Sequence, residues 1–227
     1  MDFPTNFLDR FQHIVSQYPD RTAIVDMDGA RCTTYRELGE LSRRVAAKLC
    51  AQAKSGAVSG IDGRSVLVCM DRRMEYVAAE IGIMMAGAAY VPLIPEYPQD
   101  RVDYICKDCD AVCCIDAAWM EELGKAAGCE WDLEEGGYSK YNKNRALIVY
   151  TSGSTGLPKG IAHNHEGLFD GIMCIVQTLG YDDQTCLAAA APMSFVVTLM
   201  EYHAVLSCGG CVHMLSEEVR RDVRLLE

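Results

Sequence analysis

Positive charge is scarce in this sequence: 21 Lys and Arg stand against 32 Asp and Glu, for a formal net charge of −11. The few cations are scattered rather than gathered on one stretch, which argues against a nucleic-acid partner. Long apolar runs are missing too. The longest, Ile81 to Pro95, is too short to span a bilayer, and Gly82, Gly87, Pro92 and Pro95 punctuate it like a buried helix, a turn and a strand. The opening Met1-Asp-Phe-Pro-Thr-Asn6 has no basic stretch leading into an apolar core, so neither a signal nor a transit peptide is read, and a cytoplasmic setting is expected. Internal repeats and low-complexity segments are also absent. What remains is 227 residues, 50% hydrophobic and 23% charged, enough for one sizeable domain or two small ones.

Cysteine, by contrast, is abundant, with twelve in the chain. Without an export signal the reduced state is the default. Two pairs, Cys106-Lys-Asp-Cys109 and Cys208-Gly-Gly-Cys211, have the spacing of zinc ligands. Neither lies in the short, loop-rich context of a metal ribbon, so these cysteines are read as small hydrophobes at element ends and no metal site is assigned.

An amphipathic helix is expected from Asn6 to Gln17, then a hairpin whose arms flank Asp26 to Ala30, then a helix capped by Thr34 and running through Lys48. From residue 65 strands and helices alternate: strands at 65–69, 89–93 and 111–115, helices at 74–85, 99–109 and 118–127. This pattern predicts an α/β fold, with mainly parallel sheets sandwiched by helices. Glu130 to Asn144 reads as a surface connection. Beyond it, strands at 146–150, 161–164, 185–189 and 211–215 alternate with helices at 166–179, 195–206 and from 217.

The most informative stretch is Tyr150-Thr-Ser-Gly-Ser-Thr-Gly-Leu-Pro-Lys-Gly160, directly after the apolar Leu147-Ile-Val149. Gly153, Gly156 and Gly160 permit backbone conformations that let successive N–H groups converge on an anion. Thr151, Ser152, Ser154 and Thr155 add hydroxyl donors, and Lys159 adds a mobile positive charge. The order does not satisfy G-x-x-x-x-G-K-[ST], because Pro158 precedes the lysine and Gly160 follows it.

The eleven residues resemble the signature loop of the adenylate-forming superfamily, which includes peptide-synthetase adenylation domains, acyl-CoA synthetases and luciferases. Thr34-Tyr-Arg-Glu-Leu38 and Gly87-Ala-Ala-Tyr-Val-Pro-Leu-Ile-Pro-Glu-Tyr-Pro-Gln-Asp-Arg101 are similar to further family segments, the second being typical of peptide synthetases. Ile94 departs from a common aspartate there. His165 matches the family's histidine after the loop, and a packing and hydrogen-bonding role is expected for it. The resemblance implies ATP-dependent activation of a carboxylic acid as an acyl-adenylate. Thr151, Ser152, Gly153, Ser154, Thr155, Gly156 and Lys159 would hold the β- and γ-phosphates, and the magnesium ligand would lie beyond this chain. A carrier-protein domain is the implied partner, with CoA as acceptor in the acyl- or aryl-acid ligase alternative. A non-catalytic fragment that binds nucleotide or serves as an interaction surface is the reading from another class.

Pro192 to Gly210 aligns without gaps to the family's substrate segment. Phe195 would stand beside the carboxylate pocket, Val197 and Met200 would line it, and Glu201 matches an acid of that helix. Val196 occupies the place of the aspartate that pairs with an α-ammonium group, which disfavours an ordinary α-amino acid. The pocket then suits an acid without that amine, or draws its acid from beyond residue 227, or belongs to an inactive domain; alternatively some of these side chains are core. The resemblance implies that residues 1–227 are the N-terminal portion of the adenylation domain. The Tyr-Gly-x-Thr-Glu loop, the ribose-binding aspartate and the lysine of a mobile C-terminal domain would lie beyond it, leaving no complete catalytic set.

Overall fold

The opening helix forms where apolar positions fall on one side. In the computed structural model, which describes residues 4–26, 31–58, 60–125, 138, 141, 143–152, 157–216, 219, 220, 222 and 224, α1 (Phe7–Gln17) is capped by the Asn6 side chain and buries Phe7, Leu8, Phe11, Ile14 and Val15. β1 (Thr22–Asp26) and β2 (Cys32–Thr34) pair antiparallel as the expected hairpin, whose turn lies outside the described residues. α2 (Tyr35–Lys54) begins in a capping box: Thr34 accepts the Glu37 N–H, and the Glu37 carboxylate accepts the Thr34 N–H at 2.8 Å. It runs past the expected end at Lys48, because Ala51, Gln52, Ala53 and Lys54 favour helix after the apolar face has ended.

β3 (Ser65–Cys69), α3 (Met74–Met85), β4 (Ala89–Leu93), α4 (Gln99–Asp108), β5 (Ala111–Asp116) and α5 (Ala117–Lys125) follow as the alternation predicts. Most of the expected surface connection from Glu130 to Asn144 lies outside the described residues. The chain continues as β6 (Arg145–Ser152), β7 (Pro158–Asn164), α6 (His165–Leu179), β8 (Cys186–Ala189), a π-helical turn (Leu199–His203) running into α7 (Ala204–Cys208), and β9 (Cys211–Met214). The helix expected from Glu217 falls largely outside the described residues.

The strands form two sheets, ordered β2-β1-β9-β8 and β5-β3-β4-β6-β7. Pairing is parallel except in the hairpins β1–β2 and β6–β7. In the larger sheet the chain moves from β3 to β4 by way of α3 on one face, then back past β3 to β5 by way of α4 on the other. Reversing direction while changing face keeps both crossovers right-handed. The inner core joins Val66, Val68, Tyr90, Leu147 and Val149 of this sheet to α1, α2, α3 and the smaller sheet. Leu67, Val91, Leu93, Ile148 and Tyr150 pack outward around Ile105 of α4. No helix among the described residues is long and apolar enough to cross a membrane.

Lying between two sheets explains why α3 is apolar on nearly every side. It meets α2 at Gly82, where a Cβ atom would stand 2.6 Å from the Ser42 carbonyl oxygen and from Val45 Cβ. Glu80, also on α3, is fully buried and accepts a 2.9 Å hydrogen bond from the Tyr202 hydroxyl. Burial holds its carboxyl well above the usual carboxylate range, so it is neutral in the fold. Burial likewise pushes the pKa of His203 down to about 3, leaving that ring neutral beside it.

Gly82→Ala is expected to cost about 1–3 kcal/mol in chemical denaturation, because backbone and a β-branched side chain must move apart. A midpoint equal to the parent's would place the helices further apart than described. Glu80 contributes a pH dependence of definite sign. Its folded pKa is raised, so the stability present below the unfolded value near 4.5 is lost as pH rises toward the folded value. Glu80→Gln keeps the acceptor for Tyr202 and removes the ionisation. The stability of the variant relative to the parent should therefore grow by about 1.4 kcal/mol per pH unit above that point; a difference flat in pH would mean an ionised Glu80.

Candidate functional site

The apolar run Ala146-Leu-Ile-Val149 makes β6 a buried strand, and its partner β7 returns antiparallel beside it. The described ends of the signature loop, 150–152 and 158–160, therefore lie on the paired strands of an edge hairpin. Thr151 pairs with Lys159 and Ser152 with Pro158, and the Thr151 hydroxyl lies 3.5 Å from the Lys159 carbonyl oxygen. Thr151, Ser152 and Lys159 are all exposed, and Lys159 has no ion pair among the described residues. Gly153, Ser154, Thr155 and Gly156 lie outside the described residues. Gly160 differs from its expected role. It does not adopt positive φ; instead a Cβ there would stand 3.0 Å from the Tyr150 ring, whose hydroxyl donates to Asp108 of α4 at 2.6 Å.

His165 begins α6 behind Asn164, whose side chain accepts the Gly167 N–H at 2.8 Å. The histidine is fully buried against the Tyr141 ring, with centroids 6.4 Å apart. Neither ring nitrogen has a hydrogen-bond partner among the described residues. Burial pushes its pKa down to about 4. Among the described residues His165 packs, and the side-chain hydrogen bond expected alongside is not found there.

The substrate segment departs from the continuous helix expected over 195–206. Phe195 to Val197 form a turn in which the N–H groups of Thr198, Leu199 and Met200 donate to the carbonyls of Phe195, Val196 and Val197. Leu199–His203 then widens into the π-helical turn before α7. The wider turn buries Leu199, Tyr202 and His203 while Glu201 faces back toward the end of β8. Phe195 is 57% exposed, Val196 45%, Val197 43% and Met200 37%, so these four are not core, whereas Leu199 at 8% is.

Long-range polar contacts, which residue spacing does not specify, hold this segment in place. The Glu201 carboxylate accepts the N–H groups of Ala190 and Ala191 at 2.9 and 2.8 Å. From the other side Arg72 donates to the Ala189 carbonyl at 2.8 Å and also to that of Ala191. Charged donors and acceptors thus satisfy the backbone as it leaves its sheet, beyond the Leu215 N–H that the Ala189 carbonyl still accepts at 3.2 Å. The Tyr97 hydroxyl lies 3.4 Å from Ser194 Oγ, bringing the segment 87–101 to the substrate segment. Between them lies a cleft of about 290 Å³ whose lining includes Arg72, Ile94, Glu96, Pro192 and Met193. It opens beyond the carboxyl ends of β3 and β4, where open parallel sheets bind ligands.

The mixed α/β core, with mainly parallel sheets flanked by helices, matches the N-terminal subdomain of adenylation domains. The chain superposes on the Klebsiella oxytoca NpsA N-terminal subdomain in complex with 3-hydroxybenzoyl-AMSN with a TM-score of 0.77 and 25% identity, covering 93% of this chain and 54% of that one. An artificially fused adenylation–PCP di-domain, NpsA-ThdA from the same organism, gives a TM-score of 0.78 and 26% identity over 93% and 42%. Residues 11–227 match the AMP-binding enzyme family, and the chain belongs to it. Nonribosomal peptide synthetase 7 of Gibberella zeae is 30% identical over 94% of this chain and 5% of its own length. Tyrocidine synthase 2 of Brevibacillus parabrevis is 32% identical over 93% and 6%. The chain therefore spans a small part of these relatives.

Glu201→Ala is expected to destabilise the chain by about 1.5–3 kcal/mol, since two backbone N–H groups lose a charged acceptor. Limited proteolysis should then cut between Ala189 and Met193 faster than in the parent. Unchanged cleavage there would show that the arginines, Arg72 on Ala189 and Ala191 and Arg220 on Ala190, fix the segment without Glu201.

Proposed function

We propose that residues 1–227 are the N-terminal portion of an adenylation domain that activates a carboxylic acid with ATP. The observation that carries this reading is the end of the β6–β7 hairpin, where the exposed Thr151 stands in register with an exposed Lys159 that has no ion pair among the described residues, and the exposed Ser152 follows it. These donors, with Gly153, Ser154, Thr155 and Gly156, would hold the β- and γ-phosphates, and Lys159 would offset their charge as pyrophosphate leaves. When bound, ATP supplies the α-phosphate that a carboxylate oxygen attacks, with magnesium held by ligands beyond residue 227. The chain's own part is to grip the phosphates and to present Phe195, Val196, Val197 and Met200 to the acid.

The substrate class follows from Val196. Its half-exposed apolar surface offers no partner to an ammonium group, so we assign the site to an acid lacking one. An aryl acid fits this requirement, in keeping with the 3-hydroxybenzoyl and 3-hydroxyanthranilyl analogues held by the NpsA subdomain. A carrier protein is the proposed acceptor, as the adenylation–PCP fusion suggests. A reduced, cytoplasmic setting belongs to the same proposal and suits the free state of the described cysteines.

Three measurements test the proposal. The isolated chain should show no acid-dependent pyrophosphate exchange above background, and turnover would mean that 1–227 holds a complete catalytic set. In the enzyme extended by its remaining adenylation-domain sequence, Lys159→Ala should lower the adenylation rate by about 10- to 100-fold, a loss of about 1.4–2.7 kcal/mol. An unchanged rate removes Lys159 from the phosphate site. In the same enzyme, a screen of amino, hydroxy and aryl acids should favour those without an α-ammonium, and Val196→Asp should shift preference toward amino acids. Amino-acid activation by the parent, indifferent to Val196, would place ammonium recognition elsewhere.

A further inference from the structure

β8 and β9 run parallel with Cys186 opposite Cys211 and Ala188 opposite His213. On β9 the buried Val212 and Met214 alternate with the partly exposed Cys211 and His213, so the two latter side chains share the outer face. Register places Cys186 on that same face. The result is a cluster the CxxC spacing does not reveal: Cys186 Sγ, Cys211 Sγ and a ring nitrogen of His213 all lie within 4.8 Å of one another. Cys208, the sequence neighbour, is separated from it at the end of α7 by Gly209, which turns the chain at φ 87°. Cys211 finds its partner across the sheet, not along the chain.

Metal–sulfur bonds of about 2.3 Å and metal–nitrogen bonds of about 2.0 Å set two sulfurs and one nitrogen in tetrahedral positions roughly 3.5–3.8 Å apart. Three donors already within 4.8 Å of one another are close to that spacing. Side-chain rotation suffices to close the gap, because ladder hydrogen bonds fix the backbone and the inner face of β9 is anchored in the core. Two thiolates with an imidazole select a borderline-soft d¹⁰ cation over magnesium or calcium, which prefer oxygen. We propose that Cys186, Cys211 and His213 form a zinc-binding site on the outer face of the smaller sheet, with the fourth coordination position open on the exposed Cys186 side. Binding releases both thiol protons to solvent and forms two metal–sulfur bonds and one metal–nitrogen bond, with no change of oxidation state. Cys32 reaches this face through Val25, which pairs with both Cys32 and His213. Two strand spacings, about 9–10 Å, keep it out of the cluster.

The test uses the whole chain, reduced and freed of metal, titrated with Co²⁺ as a spectroscopic probe and then with Zn²⁺. One equivalent of Co²⁺ should give thiolate-to-cobalt charge transfer and tetrahedral visible bands, which Zn²⁺ then abolishes. Cys186→Ser should lose the signal, and His213→Gln should weaken binding at least tenfold, while Cys174→Ser on α6 binds as the parent does. Cys186 is exposed, so its variant should fold, and circular dichroism checks this. Zn²⁺ should raise the Tm of the parent and leave that of Cys186→Ser unchanged. Absence of stoichiometric binding, or equal binding by the parent and both cluster variants, overturns the proposal, the second by assigning the metal to other cysteines.

Discussion

One helical layer serves two sheets. α3 lies against the larger sheet and against β1 of the smaller one, and α2 closes on it where Gly82 has no side chain. Every element that carries a candidate function is set by this layer. β4 leads into the segment ending at Tyr97, β6 carries the hairpin, and β8 ends where Arg72 and Glu201 hold it. A helix covered on nearly all sides cannot turn a polar stripe to water, so its one buried acid must find a partner inside. Glu80 does so at Tyr202, which joins α3 to the π-helical turn below the substrate segment. The core and the site are thereby tied by a hydrogen bond between a neutral carboxyl and a phenol.

The candidate site is built less from its exposed side chains than from what holds them. Phe195, Val196, Val197 and Met200 stand in solvent, yet the backbone before them is gripped by an arginine on one side and a glutamate on the other. This division suits a pocket wall, whose shape must persist while its surface stays open to a ligand.

Local features were legible in the sequence. The apolar stretches fixed β3, α3 and β4, Thr34 marked the start of α2, and the signature loop pointed to the family. Features that depend on distant partners were not. Lys159 lies opposite Thr151 because β7 turns back antiparallel, a direction that alternating strands and helices do not specify. Glu201 stood out as an acid in the right place, but its partners are backbone groups ten or so residues earlier. Likewise Cys211 seemed paired with Cys208 by spacing, whereas strand register sets it beside Cys186. The interruption of the helix expected over 195–206 is not legible there, because apolar spacing describes a regular turn and does not specify where a turn widens by one inserted residue.

That inserted residue gives the substrate wall a way to change that substitution lacks. In an α-helix each residue advances the direction of its side chain by about 100°. Removing one residue from Leu199–His203 would restore the regular turn, and whatever precedes it would rotate relative to α7 by about that angle. Tyr202 and His203 could keep their seats in the core while a different set of side chains swung toward the ligand. An insertion or deletion at this point would thus act as a phase shift, exchanging the residues that meet the substrate without altering the scaffold that carries them.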